Sequence, residues 1–307
     1  MPLKELAQPA RSAIAARELL APFAGLRFGA ELGSGQEMLC LPYDCLTPEL
    51  EAKLRKSSLN AIYLEEPKPR LSSAFKLWSA WKKQGFLTQD VPSYYLLIER
   101  FEGRERIGLL AMIRLSKEVR PAEIWPHERC YRRFIELRKR HFFKMRFHLA
   151  PIFLVAEDKN RELAGLLSAL ALKYAGIPGG VSFPASVFDG VERALYPIGE
   201  PGDACVLAGA LKPQDGFLVA DGHHRFSAAC ELAQEGLMSR TLCYVTSSKS
   251  GAGLLGRHPP VPGRKALKGE PPGLEEIIAG AKEGRLLARK TTYFWPKIPC
   301  GLVYSEL

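Results

Sequence analysis

The sequence predicts an α+β fold in which helices pack on mixed sheets. Stretches with apolar residues at helical spacing are interspersed with short apolar runs typical of strands, and glycine or proline separates many of them. The apolar fraction of 47% and the charged fraction of 25% are those of an ordinary folded chain. We therefore expect a globular protein with a buried core.

The length of 307 residues predicts two subdomains, because a single hydrophobic core rarely grows beyond about 250–300 residues. The PGG sequence at 178–180 is the candidate boundary. We predict an N-terminal α/β subdomain at 1–178 and a second subdomain, which includes the C-terminal strands, at 179–307.

The elements of the first half begin with a helical pattern that runs to Pro22, and LRFGAEL and EMLCLPYD then alternate like short strands. Thr47 then predicts a helix start, because proline and two glutamates follow it in the first turn. Residues 71–86 have helical spacing, 93–115 predict a hairpin that turns at EGRE, and the basic run at 132–146 has the spacing of a further helix.

The later elements alternate between strand and helix patterns. Glycine and proline dominate 251–272, which we predict to be loop. The predicted strands are 150–158, 194–198, 216–220, 240–247 and segments around 291–295 and 301–307, and the predicted helices are 161–176, 203–211, 226–236 and 273–284.

The formal net charge of +10 is concentrated in the run at 132–146. A solvated helix is the simplest explanation of this run, and contact with phosphate or nucleic acid is the alternative. No stretch reaches 18 consecutive apolar residues, and the first residues lack the apolar centre of a secretion signal. We expect a cytoplasmic protein that does not enter a membrane; the oligomeric state is left open.

The DGHHR sequence is the main functional candidate. An apolar run precedes it and an amphipathic helix follows, which places Gly222 at a tight bend and amide hydrogens at a helix N-terminus, where anions bind. Arg225 adds a planar charge suited to phosphate, and His223 and His224 can donate hydrogen bonds or exchange protons. Asp221 is suited to orient a histidine, a hydroxyl or a metal ion.

A purely structural explanation of this turn is that Asp221 caps the helix while the histidines pack or face water. Two adjacent histidines, an acid and an arginine exceed what capping requires. A functional role is therefore favoured.

Two further motifs supply partners for the turn. The PYD sequence places Tyr43 and Asp44 at a predicted strand end, and PHER places His127, Glu128 and Arg129 after an apolar stretch. We expect these side chains to form a substrate-binding cleft wall, with Glu128 as the first candidate for a general base. A buried ion pair of Arg129 with Asp44 or Glu128 is the structural alternative.

Lys290, Thr291 and Thr292 in the sequence ARKTTYFW offer an ammonium and two hydroxyls suited to phosphate, although an edge strand with a snorkelling lysine explains them equally well. Other nucleotide motifs are missing. GAGLLG at 251–256 fits the GxGxxG pattern but RHPPVPG follows it instead of a helix, and no GxxxxGK[ST] sequence occurs. Any nucleotide would therefore bind at DGHHR.

A strand–DGHHR–helix turn resembles the ParB/sulfiredoxin-like superfamily, in which free-serine kinases carry the same turn. The chain resembles more closely the domain-of-unknown-function family 1015, whose successive blocks it matches in order: PFAGLRF, LPYDCLTPE, NAIYLEEP, IWPHER, LAPIFLV, VADGHHR and ARKTTYFWPKIPCGLVYSEL. This resemblance implies a ParB/sulfiredoxin-like core around the turn.

The resemblance also implies a ligand, because the corresponding turns of the superfamily bind nucleoside triphosphates or serve phosphoryl transfer. It implies that His223, His224 and Arg225 bind phosphate and that Asp221 places substrate or metal. Sulfiredoxin activity is not expected, because His223 stands where the catalytic cysteine would be. Family members also have a longer segment between LLGRHP and KTTYFWPK, so this chain lacks an insertion there. If that insertion binds substrate in the family, the specificity or activity of this chain differs.

Two functions follow as hypotheses. The first is a nucleotide-dependent phosphotransferase that uses ATP or ADP with Mg²⁺ and acts on a small hydroxylated metabolite, with Asp221, His223 and Glu128 as catalytic residues. The second is a nucleotide-binding regulatory protein that contacts nucleic acid through 132–146. A metal-dependent hydrolase is less well supported, because no further ligand has a diagnostic spacing.

Overall fold

A computed structural model of the protein describes residues 19–29, 32, 35–118, 120–186, 188–211, 216–250, 254–256, 272–288 and 292–307. The helices among these residues are Pro48–Leu54 (α1), Ile62–Glu65 (α2), Leu71–Lys83 (α3), Arg132–Met145 (α4), Glu162–Tyr174 (α5), Pro201–Ala210 (α6), His223–Gln234 (α7) and Leu274–Lys282 (α8). The strands are Leu20–Ala21 (β1), Leu26–Phe28 (β2), Leu87–Gln89 (β3), Tyr94–Phe101 (β4), Arg104–Arg114 (β5), Ile124–Pro126 (β6), Phe147–His148 (β7), Ile152–Ala156 (β8), Val181–Phe183 (β9), Glu192–Ile198 (β10), Phe217–Asp221 (β11), Arg240–Ser247 (β12), Leu254–Gly256 (β13), Tyr293–Trp295 (β14) and Ser305–Glu306 (β15).

A nine-stranded mixed sheet forms the centre of the fold. Its strands are ordered β6-β11-β8-β12-β5-β4-β10-β9, and β1 pairs with β5 outside this path. The β11–β6 and β12–β8 pairs are parallel and the other pairs are antiparallel. The predicted α+β class with a mixed sheet is confirmed. Strands from both 1–178 and 179–307 share this sheet, and the division into two subdomains stays a prediction.

Both faces of the central sheet are buried. Along β5, Leu109 and Ala111 pack with α5 and α6 on one face, whereas Leu110 and Met112 pack with α8 and β14 on the other. Successive side chains of a strand point to opposite faces, so each central strand contributes to both clusters. Polar side chains that must meet solvent are left to the strand ends.

Several sequence predictions are confirmed. The Leu50 amide donates a hydrogen bond of 3.2 Å to the Thr47 hydroxyl, which therefore caps α1. The predicted hairpin is formed by β4 and β5, with Glu102 and Gly103 at positive φ in the turn. The basic run forms α4.

Two local predictions are wrong. EMLCLPYD forms 3₁₀ turns at Gln36–Met38 and Tyr43–Cys45 instead of a strand. Within the predicted loop 251–272, β13 pairs with β14, while 251–253 and 257–271 lie outside the described residues. Among the helices that the structure describes, none is long and apolar enough to cross a bilayer.

Candidate functional site

The DGHHR sequence forms a tight turn between β11 and α7. β11 ends at Asp221, Gly222 has a φ of 86° in the left-handed region, and α7 begins at His223. A Cβ atom added at Gly222 would lie 3.1 Å from Nη2 of Arg225, in a backbone conformation that other residues rarely adopt. Glycine therefore lets the strand pass into the helix within one residue.

A second strand ends beside this turn. β6 runs parallel to β11, with Pro126 opposite Val219, so both strands present their carboxyl ends at the same edge of the sheet. His127 and Glu128, which follow β6, thereby lie next to the DGHHR turn. The carboxyl ends of parallel strands are a common location for ligand sites.

His127 is a buried anchor behind the turn. Its Nδ1 atom lies 2.8 Å from the Val219 carbonyl oxygen and its Nε2 atom 2.7 Å from the Thr292 hydroxyl. Because a carbonyl oxygen only accepts, Nδ1 carries the proton and Nε2 is the acceptor that faces Thr292. Burial lowers the pKa of His127, although the Glu128 carboxylate acts in the opposite direction. The lowered pKa favours the neutral imidazole.

Both histidines of the turn have a fixed tautomer. The His127 amide donates to Nε2 of His223 at 3.3 Å, and the Tyr131 amide donates to Nε2 of His224 at 3.2 Å. A nitrogen that accepts carries no proton, so each neutral ring holds its proton on Nδ1. The two rings are therefore hydrogen-bond donors through Nδ1.

Glu128 is oriented by Thr292. Its Oε1 atom accepts from the Thr292 amide at 3.2 Å and from the Thr292 hydroxyl at 2.9 Å, and Glu128 is 8% exposed. Its Oε2 atom lies 3.8 Å from Nδ1 of His223. The single hydroxyl proton of Thr292 serves either Glu128 or His127, so Thr292 links the two residues.

Asp221 is bridged by two cations. Its Oδ2 atom lies 3.3 Å from Nη2 of Arg225, and its Oδ1 atom lies 3.0 Å from Nζ of Lys297. Arg225 also donates through Nη1 to the Pro151 carbonyl oxygen at 2.8 Å. These contacts fix Arg225 and suit Asp221 to a positioning role rather than to proton abstraction.

A single cleft brings most of these side chains together. It encloses about 430 Å³ of space, part of which is open solvent. The residues that line it are Pro42, Tyr43, Asp44, Glu65, Glu128, Arg138, Asp221, Gly222, His223, His224 and Arg225.

The cleft wall opposite the turn comes from the 3₁₀ turn that starts at Tyr43 and from α2 and α4. Oε1 of Glu65 accepts a hydrogen bond of 3.2 Å from the Tyr43 amide. The guanidinium of Arg138 lies 4.3 Å from the centroid of the Tyr43 ring. Burial opposes the charge of Arg138, but the Glu65 carboxylate helps to raise the pKa of this arginine, which therefore stays charged.

Eight residues predicted from the sequence line this cleft: Tyr43, Asp44, Glu128, Asp221, Gly222, His223, His224 and Arg225. His127 is 1% exposed and supports the cleft from behind. Arg129 is exposed and does not line it, so neither the predicted wall position nor the alternative of a buried ion pair holds for Arg129. Lys290 and Thr291 lie outside the described residues.

The cleft contains more carboxylates than arginines. Four acids, Asp44, Glu65, Glu128 and Asp221, line it together with Arg138 and Arg225. Within the part of the chain that the structure describes, no group of three or more histidine, cysteine, aspartate or glutamate side chains is arranged to hold a metal ion. The described carboxylates are therefore distributed around the cleft and do not form a metal centre.

Sequence reasoning missed three residues of the site. Lys297 supports Asp221 from the C-terminal segment, and Glu65 lies in a short helix with no motif of its own. The sequence predicts Thr292 as a phosphate contact, and in the structure its amide and hydroxyl donate hydrogen bonds to Glu128. Arg138 was noted only as one charge of the basic run. The one signal that could have found Lys297 is its place in the closing block KTTYFWPK.

The comparisons with known proteins place the chain in one family. Residues 20–248 match the model of the family of proteins of unknown function DUF1015. The protein belongs to this family. No curated protein and no solved structure matches the chain.

Two buried histidines, His127 and His148, and the partly buried His141 predict acid sensitivity. Burial lowers the pKa of His127, lowers that of His141 to about 4 together with the charge of Arg138, and lowers that of His148 to about 3. Because the unfolded chain binds these protons below about pH 6.5 and the folded chain does not, the unfolding free energy should fall as pH falls from about 6.5 to 4. His141 and His148, whose folded pKa values are about 4 and about 3, each contribute a slope that approaches about 1.4 kcal/mol per pH unit in this window, and His127 contributes in the same direction.

The measurement is urea unfolding from pH 4.5 to 7.5, with His148→Leu as the informative variant. His148 is 2% exposed, its Nε2 atom has no hydrogen-bond partner and its ring makes one hydrogen bond with the Arg240 backbone, so leucine should cost about 1 kcal/mol at neutral pH. We expect the slope of unfolding free energy against pH to be smaller in the variant by the contribution of one histidine, about 1.4 kcal/mol per pH unit. An unchanged slope would contradict the argument.

Proposed function

We propose that the protein is a nucleotide-dependent phosphotransferase that acts on a small hydroxylated metabolite. The observation that supports this most directly is the convergence, in one cleft, of the helix N-terminus, Arg225 and the oriented carboxylate of Glu128. The resemblance of the turn to the ParB/sulfiredoxin-like superfamily supports ATP or ADP as the nucleotide.

The DGHHR turn is the phosphate side of the cleft. The amides at the start of α7 carry the positive end of the helix dipole, and Arg225 is held in place by Asp221 and the Pro151 carbonyl. His223 and His224 add neutral donors through Nδ1. A preorganised donor set of this kind stabilises the charge that develops on a transferred phosphoryl group.

Glu128 is the base of the proposed reaction. The acceptor hydroxyl passes its proton to the Glu128 carboxylate while its oxygen forms the bond to phosphorus, and the bond from phosphorus to the bridging oxygen of the nucleotide breaks. The nucleotide leaves with that oxygen, and the proton remains on Glu128 until solvent takes it. The polar wall of Tyr43, Asp44 and Glu65 is available to position a small acceptor.

Magnesium bound to the nucleotide phosphates would supply charge neutralisation. The described residues fit an ion held largely by phosphate oxygens, because no set of three protein ligands is arranged for a metal. Asp44, which lines the cleft, would be a protein contact of such an ion.

The second candidate is a nucleotide-binding regulatory protein that contacts nucleic acid through α4. Less supports it, because two of the basic side chains of α4 are paired with acids of α7. Arg132 lies 2.6 Å from Glu231, and Lys139 contacts both Glu231 and Glu235. Arg138 faces the cleft instead of solvent.

The test is calorimetric titration with ATP and ADP in the presence of Mg²⁺, followed by phosphorus NMR of ATP with a panel of hydroxyl compounds. We expect nucleotide binding and transfer to at least one acceptor. The variant Arg225→Ala should weaken binding by roughly 1.5–3 kcal/mol, since it removes a charged hydrogen-bond donor from the phosphate side.

The matched control is Arg133→Ala, which removes an exposed arginine of α4 and should leave nucleotide affinity unchanged. Nucleotide binding without transfer, together with salt-sensitive retention of DNA or RNA that Arg133→Ala weakens, would favour the second candidate. If neither ATP nor ADP binds, the proposed function is wrong.

A further inference from the structure

A buried network of charges lies beneath the segment that carries Lys297. Glu99 of β4, Arg106 of β5 and Arg193 of β10 come from three adjacent strands, and their side chains are 0% exposed. Nε of Arg106 lies 2.8 Å from Oε2 of Glu99, and Nε of Arg193 lies 3.2 Å from Oε1. Arg193 also pairs with Asp189 at 2.6 Å. Both arginines therefore share one carboxylate.

The two arginines also hold three consecutive carbonyl groups. Arg106 donates to the carbonyl oxygens of Trp295 at 3.3 Å and Pro296 at 2.7 Å. Arg193 donates to the carbonyl oxygen of Lys297 at 3.3 Å. This short segment follows β14, and the two guanidinium groups satisfy its backbone carbonyl oxygens with hydrogen bonds.

Lys297 extends from this anchored backbone to the turn. Its side chain is 3% exposed, and its Nζ atom lies 3.0 Å from Oδ1 of Asp221 and 4.8 Å from the centroid of the Tyr293 ring. Asp221 contacts Arg225 through its other oxygen. A chain of contacts therefore runs from Arg193 to the backbone of Lys297, from the Lys297 side chain to Asp221, and from Asp221 to Arg225.

We propose that Lys297 and Arg193 are positioning residues for the DGHHR turn. Lys297 holds Asp221 in the orientation that fixes Arg225, and Arg193 holds the backbone of Lys297. Neither residue lines the cleft, so both act through Asp221 and not by contact with a ligand. The effect on nucleotide binding rests on the proposed function, whereas the ordering of the turn does not.

The first experiment measures the ordering without any ligand. Hydrogen exchange followed by mass spectrometry is compared for wild type, Arg193→Lys and the matched control Arg27→Lys. Arg27 also donates two hydrogen bonds to a single carboxylate, that of Asp90, at 2.7 and 2.8 Å, but lies on β2. We expect Arg193→Lys to raise exchange about tenfold in peptides that cover 292–299 and 217–226.

Exchange in these two peptides should stay unchanged in Arg27→Lys. Faster exchange at 292–299 alone would overturn the proposal, because the segment would then be anchored without any effect on the turn. Equal changes in both variants would show general loosening of the fold and would also overturn it.

The second experiment is a double-mutant cycle on affinity for ATP with Mg²⁺, using Arg193→Lys and Lys297→Met. Arg193→Lys should weaken binding about tenfold when Lys297 is present and less than about twofold in the Lys297→Met background. Equal effects in both backgrounds would overturn the proposal. If wild type binds no nucleotide, the proposed function fails, and the exchange experiment alone decides the positioning role.

Discussion

Replacing Glu128 by glutamine is expected to lower the rate of phosphoryl transfer by about 10²–10⁴-fold, which is the usual contribution of a positioned general base. Glutamine has the same shape, and its side-chain oxygen can still accept the hydrogen bonds of 3.2 and 2.9 Å from Thr292. The variant loses the ability to take a proton and the negative charge of the carboxylate, while it keeps the hydrogen bonds that orient the side chain. Affinity for the nucleotide should therefore change by less than about twofold.

Single-turnover kinetics with the identified acceptor measures the chemical step, and calorimetry measures the nucleotide affinity separately. The matched control is Glu231→Gln, the same substitution on α7 at a residue that pairs with Arg132 outside the cleft. Its rate should equal that of wild type. Full activity in Glu128→Gln would assign the base to another cleft carboxylate and contradict the role given to Glu128.

The DGHHR turn could be predicted from the sequence because its signals are local. An apolar strand, a glycine that can adopt positive φ and an amphipathic helix are contiguous, and the structure places them at β11, Gly222 and α7. The convergence of His127 and Glu128 on the turn depends instead on the parallel pairing of β6 with β11. That pairing joins residues about 90 positions apart and leaves no local signature.

The misplaced Arg129 follows from the geometry of extended chain. Glu128 forms an isolated parallel bridge with Leu287, and neighbouring side chains in an extended segment point in opposite directions. Glu128 faces the cleft, so Arg129 points away from it, and Arg129 is exposed. The sequence alone does not show whether Glu128 or Arg129 faces the cleft.

Arg138 illustrates a second limit of sequence reasoning. Basic residues occur on more than one face of α4. Whether Arg138 is buried depends on which face of α4 packs against the rest of the protein. α4 packs against α3 and α7, which places Arg138 at the cleft and leaves Arg140 exposed. Tertiary packing therefore decides which charge of the basic run belongs to the site.

Replacing Arg106 by methionine is expected to lower the unfolding free energy by about 3–5 kcal/mol, the usual cost of removing one partner from a buried ion pair. The Glu99 carboxylate would stay in the core with Arg193 as its remaining cationic partner in the network. The carbonyl groups of Trp295 and Pro296 would also lose their hydrogen bonds from Arg106. Urea unfolding at pH 7 measures the change.

The same hairpin supplies the control, Arg100→Met. Arg106 pairs with Glu99 directly across β4 and β5, and Arg100 pairs with Glu105 at the next position of the same ladder. The side chains of the second pair are 57% and 42% exposed, so its loss should cost less than about 1 kcal/mol. The two variants remove the same kind of side chain from the same kind of cross-strand pair, so the difference between their costs measures the effect of burial. Equal costs would mean that the buried network does not stabilise the fold, and that its arginines act only on the segment that carries Lys297.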